Sequence, residues 1–170
     1  HLDLYITNLY ENILLLANGD GTYNDIAKTA GVDDYGMGWG VTFLDFDKDG
    51  LPDIYVANDH AFSPYPNLLY RNLGNLTFEK AETEGPVCNK DDSYGAATLD
   101  FNLDGNPDMV VANRGPNERV QLFQNAERPG NWLGLKLLGL QSNRGAVGAR
   151  IRLVDEQGKI HYKELTAGHG

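Results

Sequence analysis

Short apolar runs alternate with polar, glycine-rich turns along most of the chain. The runs DIYVAND at 53–59 and DMVVANR at 108–114 are rich in β-branched residues, which is typical of strands. LDLYITN at 2–8 is a third run of the same kind, and Asp3 stands where the other two runs begin with aspartate. The repetition predicts one structural unit that is used several times.

Other apolar segments flank these runs in a fixed order. Two of the runs are preceded by a segment with glycine near its start, GWGVTFLDF at 38–46 and YGAATLDFN at 94–102. Each run is followed by a block that contains an asparagine, and we align three of these as equivalent: Asn18, Asn72 and Asn125. A four-stranded unit repeating about every 55 residues is the signature of a β-propeller blade. We therefore predict an all-β fold with a partial β-propeller of about two and a half four-stranded blades.

The pattern changes near residue 130. The turn-rich joint AERPGN at 126–131 is followed by three segments that we expect to be strands, WLGLKLLG at 132–139, SNRGAVGARIRLVD at 142–155 and KIHYKELTAG at 159–168. We expect two domains, propeller blades over 1–130 and the start of a small β module over 131–170. The nearest approach to a helix, DIAKTAGV at 25–32, is too short to change the all-β class.

Two acidic loops carry the chemistry of the chain. DFDKDGLPD at 45–53, the first frame, returns as DFNLDGNPD at 100–108, the second frame. Each frame places oxygen side chains at positions 1, 3, 5 and 9 and glycine at position 6, which suits a loop around a hard cation, and calcium is the natural occupant. We expect side-chain oxygens, the position-7 carbonyl and the position-9 aspartate, mono- or bidentate, as ligands: Asp45, Asp47, Asp49, Leu51 and Asp53, then Asp100, Asn102, Asp104, Asn106 and Asp108. A third site is truncated at Asp3.

The closing carboxylate distinguishes these frames from a helical EF-hand loop. An EF-hand needs glutamate at position 12, where this chain has Val56 and Val111 inside β-branched runs. We therefore predict calcium-binding β-hairpins with a structural role, against the alternative of acidic turns without metal. Asn102 replaces one charge by a neutral amide, so we expect the second site to bind calcium more weakly.

Charge and composition narrow the partners and the compartment. A net charge of −10 without a compensating basic run argues against a nucleic-acid partner, and we expect none. No segment approaches the roughly 20 apolar residues that a membrane-spanning helix needs, and the single Cys88 cannot form an internal disulfide. Millimolar calcium outside cells fills sites of modest affinity. We expect a secreted or cell-surface protein, or a periplasmic or outer-surface one if bacterial.

The segment GWGVTFLDFDKDGLPDIYVAND at 38–59 resembles an FG-GAP or VCBS repeat, the calcium-hairpin blade also found in integrin alpha-subunit propellers. NWLGLKLLGLQSNRGAVGARIRL, followed by ELTAGHG, resembles the ASPIC/UnbV module that follows such blades in the cartilage acidic protein family. The resemblance implies a larger parent chain with further blades, a secreted or surface location and no established catalysis.

Three functions remain open on the sequence. The leading hypothesis is a non-catalytic, calcium-stabilised propeller segment that acts in adhesion or protein interaction. The alternative is a carbohydrate-binding propeller or an accessory part of a polysaccharide-acting enzyme, suggested by the loop aromatics Tyr35, Trp39, Phe62 and Tyr65. An enzyme is disfavoured, because no nucleophile motif occurs and the four histidines lack zinc-site spacing.

Overall fold

The structure is a computed structural model that describes residues 3–60, 65–81, 86–115, 119–126 and 131–165. It divides into two compact units, His1–Gly130 and Asn131–Gly170. Within these described ranges, no helix is both long and apolar enough to span a membrane.

The described residues of the first unit form three antiparallel sheets that follow one another along the chain. The first sheet consists of β1 (Leu4–Ile6), β2 (Ile13–Ala17) and β3 (Tyr23–Asp25). The second sheet has four strands, β4 (Gly38–Leu44), β5 (Asp53–Asn58), β6 (Leu68–Gly74) and β7 (Thr77–Lys80). The third sheet consists of β8 (Ser93–Leu99), β9 (Asp108–Asn113) and β10 (Gln121–Phe123). The predicted all-β class and partial propeller are confirmed.

The sheets differ in how many strands of a blade they contain. Among the residues that the structure describes, only the second sheet has all four. In the described part of the chain, the first sheet has no counterpart of β4 and the third has none of β7. Two short elements join the sheets, the single helical turn α1 (Ala27–Ala30) and a 3₁₀ turn at Pro86–Cys88.

Alternation of side chains along β5 explains how the sheets pack together. Every residue of β5 is buried. Ile54 and Val56 point to a core shared with the first sheet, where they meet Tyr5 and Leu14. The intervening side chains face the opposite way, and Tyr55 joins a core shared with the third sheet. Since successive strand residues point to opposite faces, one apolar strand serves two cores.

The first strands of the second and third sheets come unusually close. A Cβ atom added at Gly40 would lie 2.8 Å from the Cα of Gly95, a separation that real side chains do not reach. A Cβ atom added at Gly95 would meet only ordinary van der Waals contact, 3.9 Å from the Ala112 Cβ. Glycine is therefore required at position 40, where β4 passes β8.

Residues 131–165 of the second unit form one antiparallel hairpin, β11 (Arg150–Val154) and β12 (Ile160–Glu164). The expected strand over 132–139 is wrong, because those residues have no strand in the structure. Three of their four leucines are exposed, Leu133, Leu135 and Leu138, and the segment pairs with no strand among residues 131–165. An alternating pattern specifies a strand only where a partner takes up its backbone hydrogen bonds.

Candidate metal centre

Both frames form the turn of a hairpin between the first two strands of a sheet. The strand register pairs Leu44 with Asp53 at the first frame and Leu99 with Asp108 at the second. Val56 lies in β5 and Val111 in β9, and both are fully buried. This placement confirms that position 12 belongs to a strand and is not available to close an EF-hand.

The first frame brings three carboxylates together. Asp45, Asp47 and Asp49 each offer one oxygen, and these oxygens all lie within 4.8 Å of one another. Oxygens that bind one calcium ion at 2.3–2.6 Å are at most about 5 Å apart, so the span fits that cation. Lys48 and Gly50 make the convergence possible, because both have left-handed backbone, with φ of 61° and 86°.

Asp45 provides the sharpest test of whether a cation fits. Its Oδ2 accepts a hydrogen bond from the Gly50 N–H at 3.0 Å. Its Oδ1 is buried and has no hydrogen-bond partner. Burial raises the pKa of this carboxyl, and the nearby Asp49 and Asp47 carboxylates raise it further, against the Gly50 bond that lowers it. A buried anionic oxygen without a partner, among other anions, suits a cation ligand.

Asp53 has a second role that the sequence did not reveal. Its Oδ2 accepts the Phe46 N–H of its own loop at 2.9 Å, and its Oδ1 accepts the Asn72 N–H of β6 at 2.8 Å. The side chain is fully buried, and burial raises the pKa of Asp53 to about 6, although both backbone bonds lower it. Asp53 therefore fastens the loop to the next strand, and each oxygen still has a second lone pair for a metal.

The second frame repeats the position-9 arrangement with its own residues. Asp108 accepts the Phe101 N–H through Oδ2 at 3.1 Å and the Asn125 N–H through Oδ1 at 2.9 Å. Leu103 and Gly105 have left-handed backbone, as the matching residues of the first frame do. Each closing aspartate thus accepts the same two backbone bonds, one from its own loop and one from Asn72 in β6 or from Asn125 just after β10. Asp108 is fully buried.

The remaining side chains of the second frame are arranged differently. Both oxygens of Asp100 accept backbone N–H groups, from Asp104 at 3.0 Å and Gly105 at 2.9 Å. Asn102 donates from Nδ2 to the Asp104 Oδ2 at 2.7 Å. Asn106, expected to contribute only its carbonyl, has a buried side chain whose Oδ1 lacks a partner. That side-chain amide oxygen is a candidate ligand. It was missed from the sequence because only the backbone carbonyl was considered at position 7.

The charge around Asp104 is set by several neighbours. Its pKa is lowered, chiefly because Oδ1 accepts the Asn106 N–H at 2.7 Å. The Lys48 ammonium of the first frame contributes to the same lowering. The two frames therefore lie near enough for a charge in one to act on a carboxylate in the other.

Arg71 on β6 is a feature of the first frame that the sequence did not predict. Its guanidinium contacts the Asp47 Oδ2 through both Nε and Nη2. The Asp47 side chain is 2% exposed and that of Arg71 is 41% exposed, so the carboxylate is covered by its partner. In the sequence, Arg71 could have been linked to the first frame only by its position, immediately before the repeated asparagine Asn72.

Asp3, which precedes β1, makes one of the two bonds seen at Asp53 and Asp108. The Asp3 Oδ1 accepts the Ala17 N–H at 2.9 Å. Ala17 is therefore the equivalent of Asn72 and Asn125, and the sequence alignment that used Asn18 was wrong by one residue. The first sheet has a different turn after its second strand, and Asn18 bonds Thr22 there instead.

The loop aromatics do not form one group. Trp39 stacks on Tyr94, with ring centroids 5.0 Å apart and planes at 25°. The Tyr35 hydroxyl donates to the Glu11 Oε1 at 2.8 Å. Tyr65 is 40% exposed, and Phe62 lies outside the described residues.

Comparison with known proteins gives consistent matches. The model of the FG-GAP-like repeat family matches residues 1–56 and 45–111. Cartilage acidic protein 1 of Mus musculus is 33% identical over 112 residues, covering 65% of this chain and 17% of the relative. The Homo sapiens protein is 35% identical over 111 residues, covering 63% and 16%. The Xenopus tropicalis protein is 30% identical over 128 residues, covering 73% and 18%. The chain thus spans less than a fifth of these relatives, and the predicted family resemblance is confirmed.

Proposed function

The chain belongs to the FG-GAP-like repeat family, and we propose that it is a non-catalytic, calcium-stabilised segment of a β-propeller in a secreted or cell-surface protein. Its role is structural, and its loops serve adhesion or protein interaction. The convergence of three carboxylates in the first frame, with the buried Asp45 Oδ1 lacking a partner, carries this proposal.

Each frame holds one calcium ion in this proposal. The ligands are the side-chain oxygens at positions 1, 3, 5 and 9 and the carbonyl at position 7, which gives Asp45, Asp47, Asp49, Leu51 and Asp53 in the first frame and Asp100, Asn102, Asp104, Asn106 and Asp108 in the second. Calcium offsets the repulsion between carboxylates in a short turn. Because every one of these turns joins the first two strands of a sheet, the ion stabilises the hairpin that begins each blade.

Residues 1–130 are proposed as propeller blades and 131–170 as the beginning of an ASPIC/UnbV-like β domain. The first partners of this segment are then neighbouring blades of a longer chain. The family match over residues 1–111 supports the assignment of propeller blades. The small share of each relative that the chain covers supports a longer parent chain with neighbouring blades.

Thermal unfolding of the intact protein with and without calcium tests the proposal. At a calcium concentration 100-fold above the dissociation constant, each occupied site adds about 2.7 kcal/mol of stability. We expect calcium to raise Tm, and the double substitution Asp49→Ala with Asp104→Ala to remove the part of the shift that these frames contribute.

Asp20→Ala is the matched control for that experiment. Asp20 is exposed and accepts the N–H of the residue two positions on, Thr22, as Asp49 does with Leu51. It lies outside both frames, so its variant should keep the full calcium shift. A Tm that does not respond to calcium, or an undiminished shift in the double variant, would rule the proposal out.

A second candidate function is carbohydrate binding, favoured by the stacked pair of Trp39 and Tyr94. Trp39 is 48% exposed, and an open aromatic face can stack on the apolar face of a sugar ring. A glycan array with the intact protein and its Trp39→Ala variant separates the two functions. A lectin gives sugar-specific signals that Trp39→Ala abolishes, and a structural segment gives none.

A further inference from the structure

Asn125 links the two frames by hydrogen bonds. Its backbone N–H donates to the Asp108 Oδ1 of the second frame at 2.9 Å. Its side-chain Nδ2 donates to the Phe46 carbonyl of the first frame at 2.7 Å, across 79 residues of sequence. Phe46 in turn donates its N–H to the Asp53 Oδ2. A continuous path of three hydrogen bonds therefore connects the closing carboxylate of one frame to that of the other.

The equivalent residue of the second sheet makes no such bridge. The Asn72 N–H also donates to a closing carboxylate, the Asp53 Oδ1, at 2.8 Å. Its side chain, however, bonds inside its own sheet, donating to the Pro52 carbonyl and accepting the Gly74 N–H, both at 2.9 Å. Ala17, the equivalent residue of the first sheet, has no side-chain amide. The connection is thus specific to Asn125.

We propose that Asn125 couples the two frames, so that calcium at the second frame favours calcium at the first and the reverse. The inference rests on the proposed calcium binding. A cation at the second frame fixes Asp108, and through it the Asn125 backbone and the direction of its side-chain amide. That amide holds Phe46, whose turn the first cation has to order.

The coupling arises from shared ordering. When one ion has already immobilised the bridge, the other ion spends less of its binding free energy on fixing the same atoms. Linkage requires the effect to be equal in both directions. Occupancy of one coupled site typically changes the affinity of the other by about 5-fold to 150-fold. For one bridging side chain we expect a change near the lower limit, about fivefold.

Hydrogen exchange across a calcium titration tests the coupling in the intact protein. Exchange of the peptide that covers 100–108, measured by mass spectrometry, reports occupancy of the second frame. We expect half-protection of this peptide to need about fivefold more calcium when Asp49→Ala disables the first frame. In the Asn125→Ala background, Asp49→Ala should no longer shift that midpoint.

Asn72→Ala is the matched control, because it removes an equivalent side chain that does not bridge. In that background, Asp49→Ala should shift the midpoint as it does in the wild-type protein. If Asn125→Ala fails to fold, Asn125→Leu fills a similar volume without a donor, and the backbone N–H to Asp108 remains in both variants.

The outcomes separate this inference from the calcium proposal. Protection of both loops by calcium, with a midpoint shift that survives loss of the Asn125 amide, overturns the coupling and leaves calcium binding intact. The coupling is also overturned, with calcium binding intact, if Asp49→Ala in the otherwise wild-type protein does not shift the calcium midpoint of the second frame. If calcium protects neither loop, calcium binding itself fails and the coupling fails with it.

Discussion

The two frames share a backbone and differ in how they balance charge. The first has four carboxylates, and one of them, Asp47, is paired with the Arg71 guanidinium. The second has three carboxylates and the neutral Asn102. Setting aside the Lys48 ammonium of the first frame, which acts on Asp104 of the second, four carboxylates with one guanidinium carry the same formal charge, −3, as three carboxylates alone. Charge counted within a loop therefore misjudges a site, because a neighbouring strand can supply the compensating group.

The largest expected effect comes from the feature that the frames share, the closing carboxylate. Asp53→Ala and Asp108→Ala should each destabilise the protein by about 3 kcal/mol even in EDTA, since each leaves two backbone N–H groups without their acceptor. Urea unfolding measures this. Asp49→Ala, which removes an exposed side chain, should cost little without calcium. Equal stability of Asp53→Ala and wild type in EDTA would show that position 9 serves only the metal.

The close approach of β4 and β8 gives the next largest effect and tests the packing beside the frames. Gly40→Ala should cost about 2 kcal/mol, because the new methyl group meets the Gly95 backbone. Gly95→Ala, the equivalent substitution in the third sheet, meets only ordinary van der Waals contact and should cost far less. Urea unfolding of the two variants provides the measurement. Similar losses for both would mean that the strands do not approach at Gly40.

Removing the arginine should make the frames unequal. Arg71→Gln takes a positive charge away from the first frame, and we expect calcium affinity there to rise about fivefold, as Coulomb attraction between the ion and Asp47 is no longer opposed. Gln124 precedes Asn125 as Arg71 precedes Asn72, so Gln124→Arg is the reciprocal variant and should weaken the second frame. Hydrogen-exchange protection of each loop, measured across a calcium titration, reports the change in calcium affinity at each frame. A fall in affinity on Arg71→Gln would instead make the arginine a positioning group for Asp47.

The sequence predicted those features that repeat locally. The strands β5 and β9, the hairpin frames and the glycines at position 6 each follow from a few adjacent residues that occur twice. Because these features occur at the same position in both copies of the repeat, the sequence predicted an all-β propeller fold. The period also indicated which aspartates lie in a turn.

Features that depend on tertiary register could not be read in the same way. The pairing of Arg71 with Asp47 spans 24 residues and the bond from Asn125 to Phe46 spans 79. Only the strand register shows that Ala17 is the equivalent of Asn72 and Asn125, because the loop lengths differ between sheets. The apolar residues 132–139 looked like a strand because composition alone does not show whether a pairing partner exists. The prediction that the second frame binds calcium more weakly, made from Asn102, rested on a count of formal charge that omitted Arg71.

Equilibrium dialysis of the intact protein against radioactive calcium counts the ions directly. The wild-type protein should bind two more calcium ions per chain than the Asp49→Ala, Asp104→Ala double variant, at a calcium concentration just sufficient to saturate the wild type. The Asp20→Ala control should bind as many ions as the wild type. Equal counts for the wild type and the double variant would show that neither frame holds calcium.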